Sequence, residues 1–455
     1  MNHPPAELPP LVAGHWLLGS LPGFVEDPLK LLEKGASLGP IVRHRIAHKT
    51  LVQLNEPELI AHVLQGNNAN YTKSATYRDL MLVVGQGLLT SEGAFWRRQR
   101  RISQPAFRRP VLEGFLETFA RCAQDLVAEW RGRAGEALDL HRETTRLALR
   151  IAGLTLFSAD LQAEAAALGD AVTEALTFAD LRMLKLLKPP IWFPWPGHAG
   201  FRRAMRTVDG AIGRLIAERR AAGPPSGSGG GPDDLLGRLV FATDPETGEA
   251  MSDRQVRDEV VTFFLAGHET TANALAWTLH LLADEPALQE RLAAEAEAAL
   301  GTTAPEDLHL AAVSRLELMR RVVEESLRLY PPAWIIERAP LEDDVIGGFR
   351  VPAGAIVMLP VWILQRRADL WPDPLRFDPD RFLPERAKER PRYAYFPFGG
   401  GQRLCIGAEF ALLELQLTLG ILLRALRVER AGPPPTTKAA ITLRPVGLRL
   451  RVAPR

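Results

Sequence analysis

The residues best equipped to do chemistry together lie in one stretch, Phe396-Pro397-Phe398-Gly399-Gly400-Gly401-Gln402-Arg403-Leu404-Cys405-Ile406-Gly407. Cys405 follows three consecutive glycines. It stands just before a helical pattern in which Ile406, Phe410, Leu413, Leu417 and Ile421 recur at spacings of three and four. A thiol at the positive end of a helix dipole is biased towards thiolate. Adjacent glycines let the backbone approach something flat and bulky without Cβ clashes. Arg403 offers a fixed charge to an anionic group nearby. A thiolate, free backbone N–H groups and an arginine suit an iron ligand that must be held and tuned. A lone cysteine is more often a small buried apolar residue, so the reading depends on the company Cys405 keeps.

Three other stretches supply that company. The pattern 253–284 is long for a globular helix, and Val260, Val261, Phe264, Leu265, Leu275, Leu279 and Leu282 spread apolar contacts around it, which predicts a helix through the middle of the protein. At its centre is Ala266-Gly267-His268-Glu269-Thr270-Thr271. A glycine, an acid and two threonines there make poor core packing. The bland alternative is a kink whose threonine hydroxyl bonds a carbonyl one turn back. In Trp96-Arg97-Arg98-Gln99-Arg100, an indole and a guanidinium four residues apart share a helix face and can grip a carboxylate. From Arg97 to Arg109 there are six arginines and no acid. That run reads either as a solvated basic face or as a docking face for an acidic partner. Glu325 and Arg328 are spaced for an ion pair on a helix that Pro331 and Pro332 end.

Together these stretches resemble the cytochromes P-450, the haem-thiolate monooxygenases. Phe398, Gly399, Gly401, Arg403, Cys405 and Gly407 stand where that family's haem-binding loop wants them. Ala266-Gly267-His268-Glu269-Thr270 looks like its oxygen-activation motif, (Ala/Gly)-Gly-x-(Asp/Glu)-Thr. The resemblance covers nearly the whole chain. It implies a mainly α fold with a small β-rich lobe (α+β), forming a single domain over 1–455. Haem b would lie between the long helix and the Cys405 loop. By the same resemblance Cys405 is the iron ligand, with Phe398 beside it. Trp96, Arg100, Arg338 and Arg403 would serve the propionates. Glu325 and Arg328 would join Arg381, from Pro379-Asp380-Arg381-Phe382, in a buried structural triad. Thr270 and Glu269 become the catalytic pair, the hydroxyl bonding dioxygen and the acid relaying protons; His268 is read as structural. One departure is Gln365, where such proteins commonly carry a histidine. That puts a propionate contact there in doubt, because glutamine donates a hydrogen bond but carries no charge.

The implied reaction inserts one atom of O2 into an apolar molecule by hydroxylation or epoxidation, the other atom leaving as water. Two electrons derived from NAD(P)H must arrive from outside. With about 50 residues after Cys405 and no flavin or ferredoxin pattern, the expected partners are a ferredoxin and its reductase, or a flavodoxin. Peroxygenases of this type lack the acid–alcohol pair and a haem-thiolate isomerase or dehydratase would need no oxygen activation, so Glu269–Thr270 argues against both. A non-catalytic haem sensor is the rival from another class, and would form no product with surrogate redox partners.

Length and composition agree with a soluble enzyme. The chain has 455 residues, 46% of them apolar, and 55 basic residues balance 54 acidic ones. Length alone suggests about three domains, and the resemblance argues for one. The charge balance gives no argument for nucleic acid or an anionic membrane. Two cysteines, Cys122 and Cys405, make a disulfide framework improbable and a reducing, cytoplasmic setting the default. The first thirty residues hold no apolar run able to span a bilayer. Residues 1–28 are proline-punctuated and read as a surface wrap. Ile41–Arg45 and Leu51–Leu54 read as a hairpin, and 221–232 as a flexible surface loop by composition.

Helical patterns are placed at 57–65, 95–104, 111–131, 139–157, 161–178, 199–221, 233–242, 286–300, 306–310 and 313–329. Short strands follow over 333–362. By the same resemblance the substrate pocket would draw on 71–90, 171–200, the start of the long helix, 333–337 and about 438–443, where Phe178, Leu181, Met183, Leu184, Phe263, Phe264, Trp334 and Ile335 are available. That lining suits a lipid, terpenoid or polyketide-like molecule. Arg78 or Arg182 would be needed to anchor a fatty-acid carboxylate, although solvent exposure is the commoner fate of an arginine.

Overall fold

The computed structural model of the chain describes residues 7–159, 162–185, 187–224, 232 and 234–455. The loop expected at 221–232 falls mostly outside them. The long helix runs Asp253–Leu282, 30 residues and about 45 Å at helical rise. Ser252 starts it with a capping box: its Oγ accepts from Gln255 N–H while Gln255 Oε1 accepts from Ser252 N–H at 2.7 Å. Between Asp258 and His280 only Ala266, Gly267, Glu269 and Thr270 escape burial. The helix is therefore buried almost all round over that span, as expected of a central element, with one opening at its middle.

Helices Leu140–Phe157, His198–Ala222, Glu317–Leu329 and Ala408–Ala425 pack against this central one. Their buried leucines, valines and phenylalanines form one large core. A second core underlies the β-rich lobe and joins Leu32, Ile41, Val52, Trp334, Val357 and Leu359. That lobe is a five-stranded sheet in the spatial order Ile41–Ile46, Lys49–Leu54, Ile356–Leu359, Ile336–Pro340, Tyr71–Thr72. Only the second and third strands run parallel. Smaller sheets lie towards the C-terminus. In one of them Thr436–Ala439 pairs with Leu443–Val446 as a hairpin.

Several expectations shift. Residues 21–36 are not a wrap but two helices, Leu21–Glu26 and Pro28–Ala36. Pro22 and Pro28 sit in their first turns, where a missing N–H costs nothing. The helix expected at 306–310 is a short 3-10 turn at Pro305–Asp307. The pattern over 111–131 divides at Gly114-Phe115 into Arg109–Glu113 and Leu116–Gly132. The helix at 57–65 is α only over Pro57–Ala61. No helix among the described residues is long and apolar enough to cross a membrane.

Candidate active site

Cys405 lies between the 3-10 turn Gly401–Arg403 and the helix Ala408–Ala425. Its N–H donates to Phe398 O at 3.0 Å and closes the loop. Gly399 and Gly401 have φ of 73° and 64°, the region side chains avoid. A Cβ on Gly401 would overlap the Leu64 carbonyl, and one on Gly400 the Tyr393 ring. The glycines thus serve close packing as well as curvature.

Cys405 is exposed at its loop, yet enough of the protein surrounds it for desolvation to act on the thiol. Burial raises the thiol pKa, against the Gly407 N–H and the Arg100 charge, which pull it down. A bound metal cation would favour the thiolate there.

Several of the residues named from sequence lie near one another beside this loop. Trp96 is buried and the Arg403 guanidinium stacks on its ring at 3.8 Å. Arg100 Nη1 donates to Leu404 O at 3.1 Å, next to the cysteine. Arg403 also pairs with Glu92, and its second terminal nitrogen, Nη1, is buried without a partner. Arg338 is buried, and its guanidinium donates to Glu337 O at 2.8 Å.

Sequence reasoning missed two members of this cluster. Lys73 lies close enough to Arg338 and Arg403 for their charges to repel it, and burial with that repulsion depresses its pKa. Glu92 holds Lys73 N–H at 2.9 Å and is the carboxylate that faces the group. Neither residue belongs to a motif; only the fold brings them in. Arg338 and Arg403 against Glu92, with Arg100 close to the cysteine, leave an excess of positive charge around the loop. The propionates of a haem would answer that excess, the glycine loop gives room for a flat ring, and the cysteine gives iron a soft ligand. The donor set fits the group. Cys405, Phe398, Trp96, Arg100, Arg338, Arg403 and Lys73 are the residues that would hold it.

Across the central helix, Thr270 Oγ1 donates to Ala266 O at 2.6 Å, one turn back. Glu269 Oε1 accepts from Thr442 Oγ1 at 2.6 Å. His268 is buried, its Nδ1 bonded to Phe264 O at 2.8 Å, and burial lowers its pKa. It is built into the core, as its isolation in sequence suggested.

The expected triad assembles. Arg328 and Glu325 are fully buried, with Nε–Oε2 at 2.6 Å and Nη2–Oε1 at 2.8 Å. Arg381 Nε approaches Glu325 Oε1 at 3.4 Å. Gln365 has no amide group to spare. Its Nε2 donates to Leu327 O and Arg328 O, both at 3.0 Å, and its Oε1 accepts from Phe396 N–H at 3.1 Å. It braces the cysteine loop from behind instead of reaching a propionate.

Phe263 stacks on Phe107 at 5.6 Å and Phe264 packs near Phe157, both buried in the helical core. Other expectations are corrected. Arg182 is not solvent-exposed: it is buried, with its Nε 3.1 Å from Asp79 Oδ1, and Lys188 pairs with the same carboxylate. Of the basic run, Arg98 bonds Glu249 and Ala250 O, and Arg101 grips Asp244 at 2.7 and 2.9 Å. Arg97, Arg108 and Arg109 remain exposed.

Residues 9–452 match the family model for cytochrome P450. The chain is 35% identical over 443 residues to cyclooctatin synthase of Streptomyces melanosporofaciens, covering 95% of this chain and 90% of that protein. It is 34% identical to cyclooctat-9-en-7-ol 5-monooxygenase of the same organism, covering 88% and 87%. It is 31% identical to pentalenene oxygenase of Streptomyces avermitilis, covering 98% and 94%. The crystal structure of the cytochrome P450DA heme domain superposes with a TM-score of 0.88 at 28% identity, covering 99% of both chains. With the family model matched over nearly the whole chain and relatives of this identity and coverage named as monooxygenases and oxygenases, the chain belongs to the cytochrome P450 family of haem-thiolate monooxygenases.

Proposed function

We propose that this protein hydroxylates or epoxidises a terpenoid, with Cys405 as the iron ligand and with Thr270 and Glu269 handling protons. The supporting observation for the substrate is that relatives similar over most of the chain are named for cyclooctat-9-en-7-ol and pentalenene oxidation. The family reaction is RH + O2 + 2e− + 2H+ → ROH + H2O. Haem supplies the O2 chemistry when bound; the chain's own residues hold it, exclude water and place the protons. The Thr270 hydroxyl proton rests on Ala266 O and must leave that carbonyl to take part. The Glu269 carboxyl is the neighbouring acid from which it is replaced.

A fatty-acid hydroxylase is the weaker reading, because Arg182, one of the two candidate anchors, is already committed to Asp79. The electron donor is a ferredoxin with its reductase, or a flavodoxin, docking where Arg97, Arg108 and Arg109 remain exposed. The setting is cytoplasmic, which suits an unpaired cysteine ligand.

The test is a substrate screen by haem spin-state shift. Terpenoids are expected to shift the spectrum and fatty acids are not. The reverse pattern would overturn the substrate reading. Thr270→Ala is expected to retain haem but to release peroxide in place of product, and unchanged coupling would remove Thr270 from the proton path.

A further inference from the structure

Glu269 does not stand alone in the opening of the central helix. Thr442, at the tip of the hairpin formed by Thr436–Ala439 and Leu443–Val446, donates its hydroxyl proton to Glu269 Oε1 at 2.6 Å. Asn273, one turn further along the helix and fully buried, donates its amide to the same Thr442 oxygen at 3.1 Å. A hydroxyl has one proton to give and lone pairs to receive with. The chain of hydrogen bonds is therefore directional, Asn273 to Thr442 to Glu269, and every donor in it points at the carboxylate. Such a chain is polarised along its length.

The hairpin tip is itself fixed from three sides. Trp334 Nε1 donates to Ala440 O at 2.7 Å, Leu443 N–H donates to Pro332 O at 2.9 Å, and Trp277 Nε1 donates to Leu443 O at 3.3 Å. Trp277 belongs to the central helix and stacks on Tyr330 at 3.9 Å. A threonine held this firmly restricts the side chain it bonds.

We infer that Thr442 is a positioning residue for the monooxygenase reaction: it holds the Glu269 carboxylate in the orientation from which protons are passed on. The inference rests on the reading of Glu269 as the proton-handling acid. Loss of a hydrogen bond to a charged group changes the held population on the order of tenfold or more. Without the hydroxyl, Glu269 turns freely and proton delivery falters. Electrons then leave by O2 + 2e− + 2H+ → H2O2 in place of product formation.

The experiment compares Thr442→Val, Thr442→Ser and Glu269→Gln in the haem-loaded full chain. A surrogate ferredoxin and reductase supply electrons from NADPH, and the probe is the terpenoid with the largest spin-state shift. Thr442→Val, equal in shape but lacking the hydroxyl, is expected to give several-fold more peroxide per NADPH at saturating probe, and Thr442→Ser is expected to restore coupling. A second readout is independent of turnover. The denaturant midpoints of Thr442→Val, Glu269→Gln and the double variant are expected to be non-additive, as for residues in direct contact.

If Glu269→Gln uncouples the reaction while Thr442→Val does not, the role of Thr442 is overturned and the acid keeps its own. If Glu269→Gln couples normally, the reading of the acid fails and the inference goes with it. Additive midpoints, or uncoupling in Thr442→Ser as severe as in Thr442→Val, would also overturn it.

Discussion

Replacing Glu325 by alanine is expected to destabilise the protein by about 3–5 kcal/mol, the cost of breaking a buried ion pair from one side. The structure says why the cost falls at that level. Arg328 is fully buried and all of its N–H groups are spent. Nε and Nη2 bind Glu325; Nη1 binds Gln365 O and Pro374 O, each at 2.7 Å; Nη2 also reaches Arg376 O at 3.3 Å. The guanidinium cannot follow its partner out to water. Its Cζ is also 4.9 Å from the Trp371 ring centroid. Removing Glu325 strands that charge and orphans the Asp378 N–H, which donates to Oε1 at 2.9 Å. Domains are typically stable by about 5–15 kcal/mol, so the loss is a large fraction of the total. The assay is denaturant unfolding with linear extrapolation, read by circular dichroism. The double variant Glu325→Ala/Arg328→Met removes the stranded charge and is expected to recover part of the loss. A loss below about 1 kcal/mol for the single variant, the value of an exposed pair, would refute the argument from burial.

Two further variants test other parts of the account. Glu259 is fully buried, and burial raises its carboxyl pKa to about 8, with the Asp258 charge adding to the rise and the Leu88 N–H opposing it. The folded state then keeps a proton that the unfolded chain loses near 4.5. Stability should fall as pH rises through that window, with a limiting slope of about 1.4 kcal/mol per unit. Glu259→Gln should flatten the unfolding free energy between those pH values, and an unchanged slope would contradict the assignment. Gly401→Ala should cost at least about 2 kcal/mol and lower haem content, since it adds left-handed strain to a clash with the Leu64 carbonyl. Gly132→Ala, where a Cβ meets nothing within 4 Å, is the matched control. Equal midpoints for these two glycine variants would remove the cradle argument.

What could be read from the sequence was what is written locally. The central helix announced itself through length and all-round apolarity, and the cysteine loop through residues that sit side by side. Trp96 with Arg100, and Glu325 with Arg328, were legible because helical spacing makes them neighbours. Arg381 was legible only through resemblance.

What stayed hidden was pairing at long range. Arg98 and Arg101 looked like a free basic face because their partners, Glu249 and Asp244, come more than 140 residues later. Lys73 and Glu92 carry no motif and become a charge cluster only when the sheet-side segment folds over the cysteine loop. Thr442 reaches Glu269 across 173 residues of chain. The prolines at 22 and 28 suggested irregular structure, and instead start helices.

The central claim is that Cys405 is the iron ligand of a haem-thiolate enzyme. Its most direct test is the carbon monoxide difference spectrum of the reduced protein. Cys122, the only other cysteine, is 2% exposed in the helical core and is no substitute. Wild type should show the thiolate-type band and Cys405→Ala should lose it. A Cys405→Ala protein that keeps the band would contradict the account.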